Sequence, residues 1–339
     1  MYTEEREITK QVKLCDISGN LNPEATGWSR FPLHVCNLSG HWPRKKKWNY
    51  WNITTDRFSF SSTIANVDYI GLNSFYFLDY EKNEIIERVA PTPLGTCVQV
   101  GPLVTSNAFA DSFGLKTQYI HDGNVMTMKV DNKGQGGIDL KCDLRITSPD
   151  GHETLSVVVP WGHKRFQYTS KQNTLPVKGI IEINGRVFDL SEEENAYACL
   201  DFGRGIWPYA VKWNWGSASG KQGDHVIGLN FGGKWTDNTG STENGICIDG
   251  KLYKNGEDID WEYDTDNFMA PWRIKSRKSD MFDLTMTPFY DKHSKLNLGA
   301  IRTEVHQCFG VYEGEINIDG KKYEISGLKG WAEEHIGLW

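Results

Sequence analysis

Asp-Gly and Asn-Gly pairs recur along this chain, among them Asp122-Gly123, Asp150-Gly151, Asn184-Gly185, Asp249-Gly250, Asn255-Gly256 and Asp319-Gly320. Such pairs accept the positive φ angles of tight hairpin turns. The runs between them are short, β-branched and aromatic, with apolar residues at period two: Phe58 and Phe60, then Ile138, Leu140 and Cys142, then Tyr197 and Cys199. Leu200 breaks the last alternation, which predicts a strand end there. Helical periodicity is nearly absent, and the run Glu192-Glu193-Glu194 fits a loop better than a short helix. The 34 glycines suit strand corners and bulges. An all-β chain of antiparallel sheets, closed or sandwiched, is expected.

At 339 residues the chain exceeds one compact domain, so two packed units are expected. An internal echo agrees. Lys47-Trp48-Asn49-Tyr50-Trp51 is followed by Ile70-Gly71-Leu72-Asn73. Later, Lys212-Trp213-Asn214-Trp215-Gly216 is followed by Ile227-Gly228-Leu229-Asn230. Two matches in the same order point to a duplicated β unit. The polar stretch from Tyr168 to Pro176 is too short for a free linker and reads as a tight crossing, giving domains 1–175 and 176–339.

Forty-four acidic against 37 basic residues leave a net charge of −7. That surface argues against nucleic acid or an anionic membrane as partner. The one basic cluster, Arg44-Lys45-Lys46-Lys47, reads as a solvated edge. No apolar run is long enough to span a membrane, and the N-terminal ten residues lack the apolar stretch of a secretory signal. Seven scattered cysteines without a C-x-x-C spacing suit reduced thiols, so a cytoplasmic location is expected and the sequons at Asn37 and Asn52 carry no weight. Nine histidines show no H-x-H or H-E-x-x-H spacing, and no metal site is expected. Neither a G-x-S-x-G elbow nor a nucleotide-binding glycine loop in strand-to-helix context occurs, and no cofactor is expected.

Candidate chemistry gathers in the stretch from Asp201 to Ser219. On a strand, Trp213 and Trp215 share one face while Lys212 and Asn214 take the other. The tryptophan pair fills a core or forms an aromatic wall for a ligand. By the repeat, Trp48 and Tyr50 form the corresponding pair, and Trp51, Trp161, Trp207, Asn230 and Trp331 join the candidate binding set. The string Asp201-Phe202-Gly203-Arg204-Gly205, with two glycines, is expected to reverse tightly and bring Asp201 to Arg204. The result is either a structural ion pair or a general acid–base whose pKa the arginine sets. Near the C-terminus, alternation puts Glu304 and His306 on one face, and a closing strand can bring Glu333 or His335 towards it. Those groups are either solvated charges beside a core histidine or a carboxylate–imidazole set for proton transfer.

Several segments together resemble the family called domain of unknown function 2804. They are Gly27-Trp28-Ser29-Arg30, the Lys47–Trp51 string, Tyr168-Thr169-Ser170-Lys171, the Asp201–Ser217 string, Gly228-Leu229-Asn230 and Gly330-Trp331-Ala332-Glu333-Glu334-His335. The resemblance implies two packed lipocalin-like antiparallel β-barrel domains, akin to AttH proteins, hydroxyneurosporene synthase, tocopherol cyclase and lipocalin-like Diels–Alderases. Such relatives hydrate, cyclise or isomerise apolar substrates without a redox cofactor, and none of their catalytic residues carries over. Three functions fit. The preferred one is a cofactor-free acid–base enzyme of isomerase or lyase type, acting on an apolar or amphiphilic small molecule. The others are a lipid- or terpenoid-binding protein and a carbohydrate-active hydrolase with paired carboxylates.

Overall fold

The structure, a computed structural model, describes residues 5–193 and 195–339. No α-helix occurs among them, and two 3-10 turns are the only helical segments there. Of the Glu192–Glu194 run, Glu192 and Glu193 lie in a loop, and Glu194 falls outside the described residues.

β1 (Val12–Lys13) and β3 (His34–Val35) form a small parallel ladder, with β2 (Trp28–Ser29) between them in the chain. A meander follows: β4 (Lys45–Thr54), β5 (Phe58–Asn66), β6 (Ile70–Asp79) and β7 (Glu84–Pro93). Next come β8 (Val98–Val100), β9 (Ala108–Ser112), β10 (Leu115–Asp122), β11 (Val125–Asn132) and β12 (Leu140–Thr147). β13 (Leu155–Gly162), β14 (Arg165–Ile183), β15 (Arg186–Asp189) and β16 (Tyr197–Ile206) complete the first sheet, ordered β7-β6-β5-β4-β16-β14-β12-β11-β10-β9-β8. The second sheet opens with β17 (Ala210–Gln222), β18 (His225–Gly233), β19 (Asn244–Ile248), β20 (Lys251–Asn255) and β21 (Ile259–Glu262). It ends with β22 (Trp272–Ser276), β23 (Phe282–Leu298), β24 (Ile301–Ile318) and β25 (Lys321–Leu338), in the order β20-β19-β18-β17-β25-β24-β23-β22-β21.

Both sheets are antiparallel and curl, so that β8 packs against β5 and β21 against β18. Each is a half-barrel curled over its own core. Phe58, Phe60, Phe77 and Tyr119 sit in the first core, and Phe231, Trp272, Tyr312 and Ile316 in the second. Burying each such side chain contributes roughly 1.5–3 kcal/mol. Period two decides which residues enter these cores. On β4, Asn49, Trp51 and Ile53 turn into the first core, so Trp48 and Tyr50 point out of it towards the second sheet.

Five expectations need correction. Residue 175 lies inside β14, and the chain changes sheet only between Ile206 and Ala210, because β14 and β16 are hydrogen-bonded neighbours. Leu200 ends no strand, since β16 continues to Ile206. The Asp201–Gly205 string is no reversal; it is mid-strand and buried throughout. Arg44–Lys47 is not a solvated edge, because Lys46 is fully buried with its ammonium 4.2 Å from the Tyr69 ring and 4.7 Å from that of Trp339. Of the internal echo, the KWN strings both lie on the first strand of a meander, β4 and β17. The IGLN strings lie on a third strand, β6, and a second, β18, so they are not equivalent positions.

The glycines of β16 serve close approach. A Cβ on Gly203 would stand 2.0 Å from Cε2 of Trp48, whose ring crosses the strand there. Gly203→Ala is expected to cost about 1–3 kcal/mol of stability by overpacking and to push the Trp48 indole off Asp201. Denaturant unfolding checks this; an unchanged midpoint would show that the ring moves freely aside.

Candidate active site

A cavity of about 400 Å³ lies between the two sheets, and both wall it. The first sheet presents Trp48, Tyr50, Tyr76, Lys171 and Asp201; the second presents Trp213, Trp215, Glu333 and His335, with Glu243 beside them. A larger surface groove of about 810 Å³ passes Trp28, Lys254 and Asp280 and contains none of the expected site residues.

Strand register assembles the charges. Lys171 of β14 stands opposite Asp201 of β16, which in turn faces Tyr50 of β4. Trp213 and Trp215 of β17 stand opposite His335 and Glu333 of β25. The Lys171 ammonium is 3.1 Å from Asp201 Oδ1 and 3.3 Å from Glu243 Oε2, and it sits 4.0 Å from the centre of the Trp215 ring. Burial works to lower the Lys171 pKa, but the two carboxylates outweigh it and hold the ammonium above its ordinary value. Burial raises the Glu243 carboxyl against the pull of Lys171.

Three indoles each hold one of the three carboxylates. Trp48 Nε1 donates to Asp201 Oδ2 at 3.0 Å, Trp235 Nε1 to Glu243 Oε1 at 2.7 Å, and Trp213 Nε1 to Glu333 Oε1 at 2.9 Å. The wall therefore does more than offer ring faces: it orients the acids. Glu333 differs from the other two in having, among the described residues, no basic side chain in direct contact. Burial pushes its carboxyl up to about 7, although the Trp213 hydrogen bond and Lys171 pull it down. His335 stacks on Trp213 with ring centres 3.6 Å apart, and its Nε2 is 2.7 Å from Thr303 Oγ1. Burial lowers its pKa to about 3, so the imidazole is neutral at physiological pH. On the opposite wall the Tyr50 and Tyr76 hydroxyls share a hydrogen bond of 2.8 Å, and burial raises both phenols.

The structure separates the expected residues into three groups. Trp48, Tyr50, Asp201, Trp207, Trp213, Trp215, Glu333 and His335 line the cavity. Asn230, Trp161 and Trp331 stand behind it. Asn230 accepts the Trp215 indole at 2.9 Å, Trp161 packs on Trp207 at 4.7 Å, and Trp331 meets Trp215 edge-on at 5.1 Å. Trp51, Arg204 and His306 lie elsewhere. Trp51 turns into the first core, as period two requires. Arg204 is three residues from Asp201 on a strand, hence on the opposite face, and makes no ion pair with it. Its guanidinium donates to Trp48 O and Asn49 Oδ1, each at 2.7 Å, and burial lowers its pKa to about 9. His306 and Glu304 do share a face of β24, as expected, but that face turns away from the cavity.

Lys171 and Glu243 are absent from the sequence-derived set. Lys171 belongs to the Tyr168–Lys171 segment, whose alternation places Gln167, Thr169 and Lys171 on one face; reading it as a domain crossing hid that. Nothing near Glu243 marks it, because it reaches the site through the loop after β18.

A family model described as domain of unknown function (DUF2804) matches residues 5–339. The chain belongs to that family. Among curated protein sequences it finds no match. Among solved structures it is similar to a Nitrosomonas europaea protein described as AttH, at 13% identity and TM-score 0.51, over 87% of this chain and 93% of that one. CghA is similar at 11% identity and TM-score 0.52, over 87% and 88%. Kievitone hydratase from Nectria haematococca gives 11% and a TM-score of 0.45, over 90% and 94%. At such identities the likeness of the first two is one of fold. No helix among the described residues is long and apolar enough to cross a membrane.

Proposed function

We propose that this DUF2804 protein is a cofactor-free acid–base enzyme that moves a proton on a largely apolar small molecule held between its two sheets. One observation carries the reading: the Glu333 carboxyl is buried in an aromatic cavity, held by the Trp213 indole and by no basic side chain among the described residues, and this burial pushes it up to about 7. An acid of that strength gives up and regains a proton at neutral pH, the property general acid–base catalysis uses. In this reading Glu333 carries the proton, and the Lys171–Asp201 pair fixes one polar group of the ligand. The rings of Trp48, Trp207, Trp213 and Trp215 hold its apolar body. Hydration, cyclisation and isomerisation all fit such a site.

A pure carrier has no use for the buried Lys171, Asp201, Glu243, Glu333 and His335, since burying ionisable groups costs desolvation. For hydrolysis, two carboxylates must act across a cleft, whereas Asp201 and Glu243 are bridged by one lysine. The test begins with native mass spectrometry of the purified protein to identify a bound ligand. That ligand, or its nearest unsaturated analogues, is then incubated with enzyme in D₂O. Deuterium should enter carbon positions with the natural enzyme and not with Glu333→Gln; a ligand released unchanged and unlabelled by both would rule out the catalytic reading.

A further inference from the structure

The long hairpin of β23 and β24 has two faces. Lys292, Ser294, Val305 and Gln307 line the cavity, and the alternate residues turn to the other side. There His293 stands directly opposite His306, and Glu304 lies opposite Lys295. His293, Glu304 and His306 each offer one ligand atom, all within 4.8 Å of one another. No sequence spacing announced this set, because antiparallel pairing brings together residues 11 and 13 positions apart.

The surroundings are those of a ligand set. Asp291 Oδ2 accepts a hydrogen bond from His306 Nδ1 at 2.8 Å, which leaves Nε2 with its lone pair free for an ion. The Phe268 ring stacks on His306 with centres 3.9 Å apart and fixes the plane of the imidazole. His293 Nε2 is 3.0 Å from Glu304 Oε1, and both are partly exposed.

We propose that His293, Glu304 and His306 bind one divalent transition-metal ion of the zinc type. Two imidazoles and a carboxylate are the donors such ions take, and three protein ligands leave a fourth position to water. Metal–ligand bonds of about 2.0–2.2 Å put tetrahedral ligand atoms roughly 3.3 Å apart, so the group closes by about 1.5 Å at most as it takes the ion. The His293 and His306 rings are parallel with centres 4.1 Å apart, and an ion bound to both lies near the plane of each. Capture therefore tilts the more exposed His293 out of the stack, and the ring binds as a neutral imidazole with its one N–H on the nitrogen turned away from the ion. Lys295 Nζ, 2.9 Å from Glu304 Oε2, competes for the carboxylate and swings into solvent. The bound ion clamps the hairpin whose other face walls the cavity.

The test is a titration of the full chain, stripped with a chelator, against ZnCl₂ by calorimetry, with circular dichroism confirming that each variant is folded. One ion per chain is expected. Glu304→Gln should weaken binding at least tenfold, and the double variant His293→Ala/His306→Ala should abolish it. Lys295→Ala, which removes the competing cation, should tighten binding several-fold at low salt. Absence of zinc uptake by the natural chain, or the same affinity and stoichiometry in the double variant, overturns the proposal. Should the double variant fail to fold, wild-type affinity in folded Glu304→Gln overturns it equally.

Discussion

Lys171→Met is expected to destabilise the protein by about 3–5 kcal/mol at neutral pH, the range for breaking a buried ion pair by removing one partner. Methionine matches the length of the lysine stem, so the loss is one of charge rather than volume. Lys171 is buried and stands between two carboxylates, Asp201 and Glu243, that are also buried. Without the ammonium, two acids face each other beside the Trp215 ring, held by the Trp48 indole and the Thr169 hydroxyl on Asp201 and by the Trp235 indole on Glu243. The deficit should depend on pH, and its sign follows from Glu243. Burial already raises that carboxyl against the pull of Lys171, so losing the lysine raises it further. An acid with a raised folded pKa contributes stability that is full below its unfolded value and lost as pH rises through the folded one. The gap between Lys171→Met and the natural chain should therefore be smallest near pH 5 and widen towards pH 8. Adding Glu243→Gln should recover part of it. Denaturant midpoints at the two pH values decide, and a gap that stays constant would mean that losing the lysine does not shift the Glu243 carboxyl.

Much of this architecture is legible in the residues, and what is not fails for physical reasons. Asp-Gly and Asn-Gly turns with period-two runs report local backbone geometry, which each hairpin needs for itself, so the antiparallel all-β fold can be read from them. The aromatic wall is legible for the same reason: Trp213 and Trp215, like Trp48 and Tyr50, share a face by alternation. Arg204 shows the limit. Glycines at 203 and 205 suggested a turn, but a glycine also serves where a neighbouring ring must cross the strand, and only the position of Trp48 distinguishes the two. Alternation alone already put Asp201 and Arg204 on opposite faces once the turn was set aside. Alternation gives the face of Lys171 but not its partners: its pairing with Asp201, like the His293–His306 set, depends on register between strands distant in sequence, and Glu243 arrives on a loop that no local pattern marks. One residue of slip would move each of those strand side chains to the other face, and no local pattern carries the register.

Glu333→Gln is expected to lower turnover by about 10²- to 10⁴-fold, the usual contribution of a positioned acid or base, while ligand affinity stays near its natural value. Glutamine keeps the shape of the side chain, and its carbonyl oxygen can still accept the Trp213 indole, so the cavity is preserved and only the exchangeable proton is lost. The same substitution reports on the carboxyl without any substrate. Burial raises Glu333 from an ordinary value of 4.5 to about 7. Its contribution to stability is therefore full below about 4.5, declines as pH rises from there, and is gone above about 7. Glutamine has no such dependence. Relative to the natural chain, the variant should gain roughly 3 kcal/mol between pH 4.5 and pH 8, because each pH unit separating the raised value from the ordinary one is worth about 1.4 kcal/mol. The two measurements are independent and must agree. A stability difference flat across that range would place Glu333 among ordinary carboxylates and remove the observation on which the catalytic reading rests. A pH-dependent difference with unimpaired deuterium transfer would leave the buried acid in place but assign the proton to another group, His335 or Glu243, both of which line the same cavity.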